Sequence, residues 1–175
     1  GTIYVAQTTT FMDESQISAI DASTGAIKWD YMMDQHIATK ISVHQNNICV
    51  VSEFRLPWPW EITITVLSDN GTGATETWHD FIPFDANEYS SIPRRASFDG
   101  LGNIYWEVST TDTTFIHSYQ VANGLKNWEK QLCAFGLPDP VILYGNGQVT
   151  ASYKSDESWG IVNSIITLDA TTGNT

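Results

Sequence analysis

Few residues in this 175-residue chain have the types and spacing that chemistry requires. The histidines are scattered, without the HxH or i,i+4 grouping that is typical of metal sites. They are His36, His44, His79 and His117. The sequence contains no nucleophile elbow, glycine-rich phosphate loop or pair of carboxylates with mechanistic spacing. We therefore predict no catalytic residue and no metal ligand.

The two cysteines, Cys49 and Cys133, lie far apart in the sequence and have no CxxC spacing. Cys49 lies in the apolar run NICVV, which predicts a buried thiol that acts as a small hydrophobic side chain. A single disulfide between the two cysteines is the alternative.

The stretch FRLPWPWEI, residues 54–62, combines two tryptophans with two prolines. Leu56 and Trp58 each precede a proline, which disfavours helical geometry and predicts an extended segment. Either Trp58 and Trp60 form a platform for a sugar ring or a proline-rich strand, or their rings fold back against the sheet. The second fate is the commoner one for large aromatic side chains. The same two interpretations apply to Trp159.

Charge limits the class of partner. The net charge is −12, with 8 Lys and Arg against 20 Asp and Glu, and a field of that sign repels nucleic acids and anionic membrane surfaces. No apolar run approaches the roughly 20 residues that a membrane-spanning helix needs. We expect neither nucleic-acid binding nor membrane insertion, and an extracytoplasmic location. The opening GTIYV lacks an initiator Met, so we expect a mature product or a piece of a longer chain.

One pattern recurs four times, in ISAIDASTGAIKW, ITVLSDNGTGATETW, IHSYQVANGLKNW and IITLDATTGNT. The copies are 48, 51 and 49 residues apart when they are aligned on the turn glycines, Gly25, Gly73, Gly124 and Gly173. Three copies end in a tryptophan: Trp29, Trp78 and Trp128. Alternating apolar residues between turn signals predict antiparallel strands, and four strands per repeat of this length are typical of a propeller blade.

The turn of the first copy has a physical explanation. The Asp21 carboxylate can accept backbone N–H bonds, and Gly25 supplies the positive φ that closes the hairpin. The small Ala19 leaves space for a neighbouring ring, and Trp29 can bury a large face. The fourth copy repeats the turn set, and the third copy is degenerate. The corresponding residues are Asp169, Thr172 and Gly173 in the fourth copy and Gln120 and Asn123 in the third.

The pattern Ala19-x-Asp21-x-x-Thr24-Gly25-x-x-x-Trp29 resembles the tryptophan-docking motif of the quinoprotein (PQQ-like) repeat family. The resemblance extends over the chain as repeats and implies a β-propeller. The family includes alcohol dehydrogenases, which hold PQQ with Ca²⁺ under an adjacent-cysteine disulfide, and also propellers that are not enzymes. This chain has no Cys-Cys pair. The motif itself is a docking device, so the resemblance implies a fold and not an activity.

We therefore expect a single all-β propeller region over residues 1–175, an arc of about three and a half four-stranded antiparallel blades. The repeats are expected at residues 1–33, 34–82, 83–132 and 133–175. Under the resemblance, the arc is a fragment of a seven- or eight-bladed propeller.

In a propeller, the loops between second and third strands open on the same face as the links between blades, and such loops tend to carry function. The predicted loops are residues 8–16, 54–61, 109–115 and 152–160. The predicted links are residues 32–39, 79–94 and 132–140. This face brings together the acidic and aromatic candidates for binding: Trp58, Trp60, Asp156, Glu157 and Trp159.

The leading hypothesis is a scaffold or binding module that is not an enzyme and has no cofactor. Its partner is a protein, a glycan or another copy of itself in an extracellular assembly. The alternatives are a fragment of a PQQ-dependent alcohol or sugar dehydrogenase, with PQQ and Ca²⁺ on other blades, and a luminal sensor propeller. Asn70-Gly71-Thr72 is a turn and also an N-glycosylation sequon, so Asn70 is a candidate glycosylation site.

Overall fold

A computed structural model describes residues 1–9, 14–54, 60–84, 96–109, 113–134, 136–137, 142–157 and 160–175. These residues form fifteen strands in four antiparallel sheets, and no helix occurs among them. None of the described segments is a helix able to cross a membrane. The predicted all-β class with four-stranded antiparallel sheets is confirmed, since three of the sheets have four strands and the first has three.

The first two sheets form one compact unit, residues 1–85. Sheet 1 is a three-stranded meander of β1 (Thr2–Thr9), β2 (Glu14–Asp21) and β3 (Ile27–Met33). Sheet 2 is a four-stranded meander of β4 (His36–His44), β5 (Asn47–Phe54), β6 (Trp60–Asp69) and β7 (Ala74–Phe84).

The other two sheets form a second compact unit, residues 86–175. Sheet 3 contains β8 (Ser97–Phe98), β9 (Asn103–Ser109), β10 (Thr113–Gln120) and β11 (Lys126–Ala134). Sheet 4 contains β12 (Gly136–Leu137), β13 (Ile142–Gly145), β14 (Gln148–Glu157) and β15 (Gly160–Asp169). The short strands β12 and β13 pair with two successive stretches of β14, so together they form one interrupted outer strand.

Each unit has its own apolar core, built from alternate residues of facing strands. The core of the first unit joins β2 and β3 to β5 and β6, and the core of the second unit joins β9 and β10 to β14 and β15. A fully buried aliphatic side chain contributes about 1.5–3 kcal/mol to folding, so each cluster is a substantial source of stability. The two sets are Ile17, Ala19, Trp29, Met33, Ile48, Val50 and Leu67, and Tyr105, Ile116, Val149, Ala151 and Leu168.

The predicted loops and links are wrong in their lengths, because the strands continue into the polar segments assigned to them. Only Asp34 and Gln35 separate β3 from β4, in place of the predicted link at residues 32–39, and Gln35 has a positive φ of 62°. Only residues 158–159 separate β14 from β15, in place of the predicted loop at residues 152–160. An antiparallel sheet accepts polar side chains on a solvated face, so polarity alone does not end a strand.

The prediction of a buried thiol at Cys49 is confirmed. Its side chain is 1% exposed and is free of any disulfide. Burial raises the pKa of this thiol well above its usual range, because the thiolate would lose its hydration. The side chain of Cys133 lies outside the described residues.

Candidate functional site

The recurring tryptophans occupy equivalent positions in three sheets. Each pairs with a residue on the preceding strand, and one extra residue on the tryptophan strand then shifts the register, which is a β-bulge. The bulge re-aims the chain between the turn and the tryptophan. The pairs are Trp29 with Ala19, Trp78 with Val66, and Trp128 with Ser118.

In the first unit, Trp29 docks on the β6–β7 turn of the neighbouring sheet. Ala19 lies between Tyr4 and Trp29 in the strand register, and the two rings meet with centroids 5.9 Å apart at 48°. Trp29 Nε1 donates to Asp69 Oδ1 at 3.0 Å, and the Tyr4 hydroxyl donates to Asp69 Oδ2 at 2.6 Å. The Gly71 N–H also donates to Asp69, at 2.7 Å. One carboxylate therefore joins both rings to the turn.

The second unit repeats this arrangement with different polar partners. Ser118 takes the place of Ala19, and the Tyr105 and Trp128 rings lie 5.8 Å apart at 33°. Trp128 Nε1 donates to the Ala170 carbonyl oxygen at 2.9 Å. Gly173 lies directly against the Trp128 ring. The tyrosine of this docking contact was missed in the sequence, because it is on a strand far from the motif.

Most copies of the motif show the hydrogen bonds or the backbone angles that were expected for their turns. Asp21 Oδ1 accepts from the N–H groups of Ser23 and Thr24 at 2.9 and 3.0 Å. Asp169 Oδ1 accepts likewise from Thr171 and Thr172, at 3.0 and 2.8 Å. The turn glycines of these copies and of the third have positive φ, at 74°, 71° and 70° for Gly25, Gly124 and Gly173.

The second copy differs from the alignment on Gly73. The glycine with positive φ in the β6–β7 turn is Gly71, at 90°, and Gly73 is not in the left-handed region. Four residues separate β6 from β7, whereas five separate β2 from β3, so the turn has a different shape. The Asn70 side chain closes this turn by accepting from the Thr72 N–H at 3.0 Å. The turn glycine was therefore misassigned, although Trp78 is 9% exposed and occupies the expected strand position.

The carboxylate at the docking contact is held in its charged form. Burial pushes the pKa of Asp69 upward, but hydrogen bonds from Tyr4, the Gly71 N–H and Trp29 outweigh burial and hold the pKa below its usual value. Burial, with the bond to Asp69, raises the pKa of Tyr4 to about 12. The hydroxyl therefore stays a donor to the carboxylate throughout the physiological pH range.

A cleft of about 350 Å³ opens between sheets 1 and 2 at the end of the unit where β3 turns into β4. One wall is a single face of sheet 2, and the other is the end of β3 with the start of β4. The lining residues are Glu61, Thr63, Thr65, Glu76, His79 and Phe81 from the first wall, and Tyr31, Met32, Met33, Asp34 and His36 from the second. Its volume is in the range of small-ligand sites.

Polar contacts cover one side of the cleft. His79 Nδ1 lies 2.7 Å from Glu76 Oε1, and the Tyr31 hydroxyl donates to Glu76 Oε2 at 3.4 Å. His36 Nδ1 and the buried Ser52 Oγ lie 3.0 Å apart. Burial and then His79 lower the pKa of His36, and this effect exceeds the opposing one of Glu76. Burial, followed by the charge of Glu76, raises the pKa of Tyr31.

Three carboxylates give the cleft a negative field. They are Asp34, Glu61 and Glu76, and among the described residues that line the cleft none is a Lys or an Arg. The Thr63 and Thr65 side chains line the cleft although these residues are only 4% and 2% exposed. Neither hydroxyl bonds to another residue in the described part of the chain. Both hydroxyls are therefore free to bond to a ligand in the cleft.

The predicted binding residues cannot be placed in this cleft. Trp58 and Trp159 lie outside the described residues. Trp60 begins β6, and Asp156 and Glu157 end β14, so these three are strand residues and not loop residues as predicted. Their side chains lie outside the described part of the structure.

The lining residues were not recognised in the sequence as a group. Thr65 pairs with His79 and Thr63 pairs with Phe81, which brings segments far apart in the chain to one face. His79 had been treated as a scattered histidine, and His36 as part of a link. The available signal was alternation: Glu61, Thr63 and Thr65 are polar at every second position of a strand, next to fully buried isoleucines.

A smaller cleft of about 290 Å³ occurs in the second unit, where the Tyr105 and Tyr144 rings stack 6.1 Å apart. Its carboxylate is Asp99, which already accepts from the Leu101 N–H at 2.7 Å, from Asn103 Nδ2 at 2.7 Å and from the Tyr105 hydroxyl at 3.2 Å. These bonds shape the loop between β8 and β9. This cleft therefore has less capacity for a ligand than the first.

The described residues do not fit a Ca²⁺ and PQQ cradle. Across the described ranges, no group of three or more His, Cys, Asp and Glu side chains could hold a metal ion. The Asp69 oxygens accept from the Tyr4 hydroxyl, Trp29 Nε1 and the Gly71 N–H, so they are already used for docking. A second group of acid and amide side chains, Asp85, Asn87 and Glu88, lies outside the described residues.

Removal of the His36 imidazole is expected to flatten the pH dependence of stability near neutrality. The folded state holds His36 neutral with a pKa below 6.5, whereas the unfolded chain protonates it at its ordinary pKa. Stability is therefore lost as the pH falls from 6.5 towards the folded pKa. In His36→Asn, which can keep the contact with Ser52, urea midpoints between roughly pH 7 and pH 5 should fall less than in the parent chain. An unchanged slope would contradict the assignment.

No protein-family model and no curated relative matches the chain. Among solved structures, the chain is similar to a prolyl endopeptidase. That structure comes from a study of two prolyl endopeptidases and of the role of inter-domain dynamics in their catalysis and specificity. The match has 10% sequence identity and a TM-score of 0.45, and it covers 99% of this chain and 26% of that one. The chain thus spans about a quarter of the length of that structure. A similarity this low carries no argument, so strand pairing alone supports the fold.

Proposed function

We propose that the chain is a binding module that is not an enzyme, built from propeller blades of the quinoprotein-like repeat type and located outside the cytoplasm. Its partner is a protein or a glycan, held in the cleft between sheets 1 and 2. The observation that carries this proposal is a pair of buried residues that line the cleft, Thr63 and Thr65, whose hydroxyls have no partner among the described residues.

The surroundings of the hydroxyls support binding. Phe81 pairs with Thr63 across the strands and is 49% exposed, so its ring is available to a ligand. Met32, also a lining residue, is similarly exposed. A concave surface with aromatic and apolar walls and a few convergent polar groups is typical of a ligand site. The two sheets that form the walls are joined by the bond from Trp29 to Asp69.

The test is ligand mapping by NMR on the threonine methyl groups. We expect members of a library of basic peptides or of neutral oligosaccharides to shift the Thr63 and Thr65 methyl signals saturably. The matched control is the Thr75 methyl, which is on β7 but is exposed outside the cleft. If neither library moves the cleft methyl signals, the binding-module proposal is wrong.

A further inference from the structure

We propose that the cleft between sheets 1 and 2 binds a primary ammonium ion, such as the side-chain end of lysine. This inference rests on the proposed binding function and names the chemistry of its ligand. Three features support it: a carboxylate with no partner among the described residues, two buried threonines in the same row whose hydroxyls have no described partner, and an uneven charge around the cleft.

The row lies on β6. Glu61, Thr63 and Thr65 occupy alternate positions, so their side chains leave the same face of the sheet, with about 7 Å between successive α-carbons. The Glu61 carboxylate makes no hydrogen bond or ion pair to any other described residue. The three side chains therefore present acceptors in one direction, with no described donor to satisfy them.

An ammonium ion matches this set. It carries three diverging donors and no acceptor, so it can bond to two neighbouring acceptors of the row at once, while the charge of the carboxylate attracts it. Hydrogen bonds in which one partner is charged are about twice as strong as neutral ones, and burial near the hydroxyls increases the effect. A guanidinium group has a planar fork that fits the paired oxygens of a carboxylate such as Glu61, but it matches the single oxygens of the two threonines less well than an ammonium does.

The charges of the cleft favour a cation over a neutral saccharide. Besides Glu61, the cleft has the carboxylates of Asp34 and Glu76, and Glu76 is already engaged with His79. The remaining two therefore have no positive side chain among the described lining residues. The exposed Phe81 ring beside Thr63 can cover the methylene stem of the ligand or attract its charge through the ring face.

The experiment uses a capped pentapeptide, Gly-Gly-Lys-Gly-Gly, and the same peptide with ε-acetyl-lysine or arginine in place of lysine. Affinity is read from the Thr65 methyl shift. We expect the lysine peptide to bind, and the ε-acetyl-lysine and arginine peptides to bind about tenfold more weakly. Spermidine is tested in parallel. Tighter binding of spermidine assigns a free polyamine as the source of the ammonium, and tighter binding of the lysine peptide assigns a protein side chain.

Two variants locate the site. Glu61→Gln is expected to weaken lysine binding about tenfold, and Glu129→Gln, which removes an exposed charge in the other unit, should leave it unchanged. Thr65→Val, which is isosteric, should weaken binding several-fold with little loss of stability, because its hydroxyl has no described partner. Its readout is the shift of the Thr63 methyl.

The outcomes separate this inference from the proposed function. If oligosaccharides shift the cleft methyl signals and no amine does, the ammonium assignment is wrong and the binding module stands. Equal affinity for lysine and ε-acetyl-lysine, or tighter binding of arginine, also overturns the assignment. If no ligand of either class shifts these signals, both proposals fail.

Discussion

Replacing Trp29 by alanine is expected to lower the free energy of unfolding by about 3–5 kcal/mol, the usual cost of deleting a large buried ring. Trp29 is 6% exposed and belongs to the core of the first unit. The substitution leaves a cavity beside Tyr4 and removes the donor from Asp69, which then has one partner fewer. Urea unfolding followed by circular dichroism measures the loss.

Trp29→Phe is the matched control, because it keeps an apolar ring but removes the indole N–H. We expect it to cost clearly less than Trp29→Ala, since part of the core contact remains and only the bond to Asp69 is lost. Tyr4→Phe tests the other bond to the same carboxylate and should cost about 1–2 kcal/mol. A loss below about 1 kcal/mol in Trp29→Ala would show that the ring does not hold the two sheets together.

The fold class could be predicted because its signals are local and repeated. Each strand alternates apolar residues at period two, and each turn needs a residue with positive φ, which glycine supplies. The Asp21 and Asp169 turns show the expected bonds to backbone N–H groups. The small Ala19 also indicated that a ring approaches it, and the ring pair above it agrees with that.

What could not be predicted depends on register. Tyr4 pairs with Ala19 and so meets Trp29, but no feature of the Tyr4 segment marks it as a partner of the motif. The misplaced glycine has a similar cause. The β6–β7 turn is one residue shorter than the β2–β3 turn, whereas the tryptophan lies farther along β7 than along β3. The sequence shows only the total spacing to Trp78, so it cannot show how the residues divide between turn and strand.

The cleft was hidden for the same reason. Its residues come from β3, β4, β6 and β7. They meet only after the strands have paired within each sheet and sheets 1 and 2 have packed together. Glu61 was assigned to a loop and His36 and His79 to links, although all three belong to strands, and the other face of β6 is fully buried. In a sequence, a strand with one apolar face and one hydroxyl face predicts that the hydroxyl face is in contact with solvent. Here the neighbouring sheet covers that second face.

Replacing Gly173 by alanine is expected to destabilise the chain more than replacing Gly25, although both glycines have nearly the same backbone. Their φ angles are 70° and 74°, so each alanine pays the left-handed penalty of about 1–2 kcal/mol. At Gly25 an added Cβ meets no atom within 4 Å, whereas at Gly173 it would lie 2.7 Å from Trp128 Cδ2. The ring must move, which adds the cost of overpacking, about 1–3 kcal/mol.

The difference can be tied to the ring itself by a double-mutant cycle measured by urea unfolding. In a Trp128→Ala background the obstructing ring is gone, so Gly173→Ala should cost no more than Gly25→Ala does in the parent chain. With Trp128 present, the excess cost should appear, and the indole bond to the Ala170 carbonyl oxygen should be strained or lost. If Gly173→Ala lowers the free energy of unfolding equally in both backgrounds, the glycine is needed only because the backbone has a positive φ at this position. In that case the close approach of Trp128 to the turn would not be what holds sheets 3 and 4 together.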